Sequence, residues 1–173
     1  MTRLARSSGR GGRLSALVLL ALVLATCHPA AGQEGADEAR ALARAGRLDE
    51  ALAAYTAFLT AHPEDLEARK GRARVLGWLH RDAEALEDYE GVLAVTPRDA
   101  EAALDRARVL GRLDRLDEAE DAVRAVLASQ PSLADAHLSL GAILLRRGQA
   151  AAAADAFARA QALAPEDPTP LVG

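Results

Sequence analysis

Small and bulky apolar residues recur along this chain at a fixed interval. Ala51, Ala85, Ala119 and Ala153 lie 34 residues apart, and Tyr55, Tyr89, Val123 and Phe157 each follow one of them by four positions. Pro63, Pro97, Pro131 and Pro165 keep the same step, 12 residues after each Ala. A spacing of four places the small and the bulky residue on one helix face, a turn apart. The Ala column lets an antiparallel helix approach closely, and the bulky column fills the next gap. Proline cannot continue a helix interior, so it closes each unit. Polar residues beyond it supply new starts: Asp65 before Leu66-Glu67, Asp99 before Ala100-Glu101, and Ser132 ahead of Asp135 in a capping-box-like spacing. The pattern predicts eight helices in four units, residues 32–65, 66–99, 100–133 and 134–167, with a tail at 168–173. The first helix is expected from about Gln33 to Ala45 and the last from about Ala150 to Leu163.

These columns resemble the tetratricopeptide repeat family. The fourth unit is the clearest, with Leu140-Gly141, Leu144, Gly148, Ala153, Phe157, Ala160 and Pro165 at the family's spacing. The resemblance implies an all-α fold, a right-handed α-solenoid of about four helix-turn-helix repeats. The sequence also departs from the family. Arg72 and Arg106 stand where a buried Leu is usual, Phe58 stands where Ala is usual, and the first helix of unit one matches poorly. End repeats are commonly atypical, because they have a neighbour on one side only.

Ahead of the repeats the pattern changes. Arg3, Arg6, Arg10 and Arg13 occur without an acid and are followed by an apolar run from Leu14 to Ala25. This is the layout of a signal peptide, here residues 1–32, and the 12-residue run is short for a span that needs about 20. Two cleavage routes are open. Leu24-Ala25-Thr26-Cys27 resembles a bacterial lipobox, which would lipidate Cys27, although Thr26 departs from the small residue usual there. Ala30-Ala31-Gly32 offers an ordinary small-residue site. Export to the periplasm or cell envelope is expected, with any membrane attachment through that lipid or an uncleaved leader.

Composition sharpens the picture. Half of the 173 residues are apolar but only five are aromatic, so the core is aliphatic, and an Ala-rich chain favours helix over sheet. All 25 acids lie at Glu34 or later. Losing the four leader arginines from 21 bases leaves 17 against 25 acids, a formal charge of −8. That balance disfavours non-specific nucleic-acid binding. A single Cys excludes an internal disulfide.

In the family the first helix of each unit lines a concave groove through its second, fifth, ninth, twelfth and thirteenth positions. Carried over, the resemblance implies a groove containing Arg40, Arg44, Lys70, Arg74, Trp78, Arg108, Arg112 and Arg146. A basic stripe in an acidic protein is expected, with many acids, such as Glu84, Glu87 and Glu118, on the outer helices. Arginine forks grip carboxylates, and Trp78 is suited to stacking, which points to an acidic protein or peptide partner. The same cations also face Glu67 and Glu101, so internal neutralisation is the competing expectation. His28, His62, His80 and His137 show no metal-ligand spacing, and no glycine-rich phosphate loop follows a strand. No catalytic residue, cofactor or metal is expected. The reading is a non-catalytic adaptor or scaffold of the bacterial envelope. Its alternatives are a self-associating array using the exposed last helix, or a periplasmic part of an outer-membrane biogenesis or exopolysaccharide export system.

Overall fold

In a computed structural model, residues 31–163 are described. The expected signal peptide with Cys27, and the tail 168–173, lie outside them or at their edge. Among the described residues there are eight helices and no strand: α1 (Ala31–Arg44), α2 (Leu48–Ala61), α3 (Leu66–Trp78), α4 (Asp82–Val95), α5 (Ala100–Arg112), α6 (Leu116–Ser129), α7 (Ala134–Arg146) and α8 (Ala150–Leu163). The fold is the all-α helical-repeat solenoid that the period of 34 predicts. No helix of the described residues is long and apolar enough to cross a membrane.

Each helix packs on the next in the chain, and the odd-numbered helices also touch one another, α1 on α3, α3 on α5 and α5 on α7. No even-numbered pair is in contact. The odd helices therefore form the inner, tighter layer and the even helices splay outward, which curves the array.

Small residues set the approach of the two layers. Ala51, Ala85 and Ala119 are fully buried, and so are Ala39, Ala73 and Ala107 on the inner helices, a second small-residue column with Gly141 as its fourth member. Tyr55, Tyr89 and Val123 are buried as their column requires, whereas Phe157 keeps 36 % of its surface, because no further inner helix follows α8 among the described residues. Two glycines make room for this column. A methyl group on Gly71 would lie 2.5 Å from Cζ of Tyr55, and one on Gly141 would lie 2.6 Å from Cε1 of Phe157. Phe58, the unusual residue of unit one, is buried over Gly35 and tilts against His62 with ring centroids 4.6 Å apart.

The helix starts follow the expected chemistry in two units and depart from it in one. Asp65 and Asp99 accept from the backbone N–H of Ala68 and Ala102 at 2.8 and 3.0 Å. In unit four the cap position belongs to Leu133, in register with those aspartates, and no side chain caps α7. The Ser132–Asp135 capping box is therefore not formed, since Ser132 sits one residue too early. The turn inside each unit is a left-handed residue at one register position: Gly46, His80, Asp114 and Gly148 have φ of 74°, 58°, 61° and 75°.

Candidate partner-binding groove

The sequence-predicted residues all lie on the odd-numbered, inner helices, at the fifth, ninth or thirteenth position of their units. The structure places most of their charges in ion pairs between repeats. Lys70 is only 6 % exposed on α3, with its ammonium 2.7 Å from Glu67, 3.0 Å from Asp99 and 3.2 Å from Glu101. Burial opposes that charge, but hydrogen bonds to the three carboxylates outweigh it and hold the ammonium pKa above its ordinary value. Asp99 is the reciprocal case. Burial would raise its pKa, but the Ala102 N–H and Lys70 lower it below the usual carboxylate range.

Arg74 crosses to the next repeat, 2.8 Å from Glu101 and 3.3 Å from Asp105. Asp105 also takes Arg108, one turn along α5, and accepts from the Tyr89 hydroxyl at 3.3 Å. Burial first, and then the Asp105 charge, push the Tyr89 phenol well above its ordinary pKa. Arg112 lies over Gly77 and binds Asp82 through Nε at 2.9 Å and Nη2 at 2.5 Å. Arg146 repeats this strap one unit later, donating to the Gly111 carbonyl and lying 3.5 Å from Asp114. Arg40 pairs with Asp37, and Arg44 donates only to the Arg40 carbonyl, at 3.4 Å.

The stripe is thus a mixed-charge ladder in place of the free basic surface expected from the outer-helix acids. Internal neutralisation by Glu67 and Glu101 is observed, and Asp82, Asp99, Asp105 and Asp114 add to it. These four partners lie at helix starts, turns and the sixth position of α5, outside the family's groove positions, so sequence reasoning passed over them. The signal that finds them is the spacing of Lys70/Asp99, Arg74/Asp105, Arg112/Asp82 and Arg146/Asp114, 29, 31, 30 and 32 residues, about one repeat less one turn. Another regularity is Arg47–Glu50, Arg81–Glu84 and Arg115–Glu118, bidentate staples at the start of α2, α4 and α6 that keep the 34-residue step.

Several side chains remain open to solvent on this face. Arg40, Arg44 and Arg146 are exposed, Trp78 is 50 % exposed, the Arg108 side chain 60 %, and beyond them α7 presents Leu138 and Leu145, both exposed. Arg72 and Arg106, the departures on the opposite side of the inner helices, point between the outer helices. Arg72 binds Asp88 bidentately at 2.7 Å on both oxygens, and Arg106 reaches back to Glu90 at 3.3 Å. Among the described residues no group of three His, Cys, Asp or Glu side chains is placed to hold a metal ion.

Together the paired helices, the 34-residue step and the inner ladder define a tandem helical-repeat protein. The tetratricopeptide repeat family matches residues 35–75, 81–132 and 104–168, more than half of the 173 residues, and the chain belongs to that family. A search of curated proteins finds no match to it. Among solved structures, it is similar to a tetratricopeptide repeat protein from Parabacteroides merdae, with 23 % identity and a TM-score of 0.73 over 87 % of this chain and 59 % of that one. A thermophilic tetratricopeptide protein of Thermus thermophilus gives 25 % identity and a TM-score of 0.71, covering 77 % and 74 % of the two chains. MamA from Desulfovibrio magneticus gives 23 % identity and a TM-score of 0.70, covering 76 % and 75 %. These likenesses establish the fold.

Proposed function

We propose that this chain is a non-catalytic adaptor that binds a protein or peptide partner across the inner layer of its helices. The observation that carries this reading is Trp78, a large side chain left half exposed at the centre of that layer, in one column with Arg44, Arg112 and Arg146. An aromatic anchor beside arginines is the composition that binding surfaces concentrate. Exposed ion pairs contribute only about 0–1 kcal/mol each, so a partner carboxylate exchanges readily with Asp37 at Arg40, while at Arg108 it meets the solvent-facing part of a guanidinium that also binds the largely buried Asp105. An acidic segment is therefore the chemistry that suits the surface, and it stacks on Trp78 while taking the guanidinium forks. The basic leader and apolar run support placement in the bacterial cell envelope, with Cys27 as the anchor if the lipobox route operates. The mass of the mature N-terminus distinguishes the two routes.

The test is capture from envelope extracts by the mature chain beside a Trp78→Ala, Arg108→Ala variant. Arg74 is unsuitable for this purpose because it ties α3 to α5. A partner retained by the wild type and lost from an equally helical variant supports the adaptor reading, and equal capture by both overturns it. A second reading, self-association, is favoured by Leu138, Leu145 and Phe157, all exposed at the last repeat. A mass in solution that stays monomeric at every concentration removes it.

A further inference from the structure

Two apolar side chains that earlier repeats bury lie open in the last one. The fifth position of the inner helices holds Lys70, Leu104 and Leu138. Lys70 and Leu104 are 6 % and 5 % exposed, with the next inner helix against their own, whereas Leu138 is 48 % exposed. In the bulky column of the outer helices Tyr55, Tyr89 and Val123 are buried, and Phe157 keeps 36 % of its surface. Leu138 and Phe157 thus mark the face on which a further inner helix would stack.

The spacing of the aromatic contacts points to what covers it. Tyr55 and Tyr89 each meet the next inner helix 16 residues on, at its sixth position. Tyr55 meets Gly71, where a methyl group would lie 2.5 Å from the ring, and Tyr89 donates to Asp105 at 3.3 Å. The residue 16 positions after Phe157 is Gly173, so an aromatic ring is again matched by a glycine. The sequence past Leu163, Ala-Pro-Glu-Asp-Pro-Thr-Pro-Leu-Val-Gly, keeps the register elsewhere too. Pro165 is the fourth unit-closing proline, and Asp167 stands in the register of the caps Asp65 and Asp99. Pro168 and Pro170 fall in the first turn of the helix that would follow, whose N–H groups have no intrahelical partner. That leaves the Thr169 N–H for the Asp167 side chain. Ordering ten residues costs conformational entropy, which the three prolines among them reduce.

Charge separates this segment from a second copy of the chain as the occupant. Lys70 and Arg74, at the fifth and ninth positions, face Glu101 and Asp105 at the second and sixth positions of the next helix. In unit four the fifth and ninth positions are Leu138 and Ala142, and the tail offers Thr169 and Gly173 as second and sixth. Neutral residues therefore meet neutral ones. Stacking α1 of a second copy there would set Asp37 at the sixth position, against Ala142 where Arg74 stands earlier and Phe157 where Tyr89 stands. Neither can pair or donate to a carboxylate, which would lose water without compensation.

We propose that residues 164–173 fold back as a single helical turn on the open end of α7 and α8, with Thr169 over Leu138 and Gly173 against the Phe157 ring. The segment covers part of the face on which the self-association reading rests. It is independent of the adaptor reading, which uses Trp78 and Arg108.

The test is nuclear Overhauser spectroscopy on the mature chain, with Gly173, Thr169, Leu138 and Phe157 assigned. Contacts are expected from the Gly173 Hα protons to the Phe157 ring and from the Thr169 methyl to Leu138, with an upfield ring-current shift at Gly173 and no change on dilution. Gly173→Val adds a side chain for which the ring leaves no room, so it should remove the Phe157 contact while helicity is retained. Absence of both contacts in the wild type overturns the proposal, as does a Gly173→Val chain with the Phe157 contact intact. Contacts found only between differently labelled copies would assign the face to self-association, and contacts to Leu127 would put the tail in the cleft between α6 and α8; either result overturns it.

Discussion

Tyr89 reaches out of its own repeat and donates its phenolic hydrogen to Asp105 in the next, at 3.3 Å from Oδ2. Tyr55, one repeat earlier, meets Gly71 at the register position that Asp105 occupies. One aromatic column thus joins neighbouring repeats in two ways, by a hydrogen bond where an acceptor stands and by close packing where a glycine does. Asp105→Ala removes the acceptor of Tyr89 together with partners of Arg74 and Arg108. It should cost about 1–3 kcal/mol in urea unfolding, and less when Tyr89→Phe is already present, because the two substitutions remove one shared interaction.

The glycines separate into those that hold space and those that do not. An added methyl on Gly71 falls 2.5 Å from the buried Tyr55 ring, so Gly71→Ala should destabilise by about 1–3 kcal/mol. On Gly111 it meets only the end of Arg146, at 3.8 Å, and Gly111 lies inside α5. Gly111→Ala should therefore stabilise by about 0.5–1 kcal/mol through helix propensity. Thermal unfolding of the two variants gives the sign directly.

His80 occupies the left-handed turn position that Gly46 and Gly148 fill elsewhere. A residue with a Cβ is strained there, so His80→Gly should raise stability by about 0.5–1 kcal/mol. A lower melting temperature for this variant would show that the His80 side chain contributes contacts that outweigh the strain.

Stability should depend on pH through the depressed carboxylates. The folded-state pKa of Asp99 is lowered, and Arg47, Arg81 and Arg115 lower those of Glu50, Glu84 and Glu118 by direct hydrogen bonds. Their contribution is present above the unfolded carboxylate pKa of about 4 and is lost as pH falls below it. Melting temperature should hold between about pH 7 and 5 and then decline. Asp99→Asn keeps an acceptor for the Ala102 N–H but removes the charge beside Lys70. This variant should be less stable at pH 7 and show a shallower acid decline. Lys70, whose pKa is raised, stays charged throughout that range and adds no slope.

Much of the fold was legible from the chain alone. A period of 34 in three columns specifies paired helices, and α8 runs from Ala150 to Leu163 as its apolar pattern predicts. The Asp65 and Asp99 caps were legible because capping is a contact within four residues. Ser132 was misplaced by one position, since Leu133 and not a polar residue sits in the cap register. The candidate surface was read less well. Family positions put Lys70, Arg74 and Arg112 on the inner layer, where they lie, but their partners Asp99, Asp105 and Asp82 are roughly 30 residues away in sequence.

The sequence by itself determined the repeat, its helices and the small columns on which the layers meet, because each follows from spacing along one or two turns of helix. Tertiary structure decided which charges remain available, as it is the stacking of repeats that brings Lys70 into three carboxylates and leaves Trp78 half exposed. It also decided the outer clefts. The clefts between α4 and α6 and between α6 and α8 exist only because successive outer helices stand apart when the repeats stack.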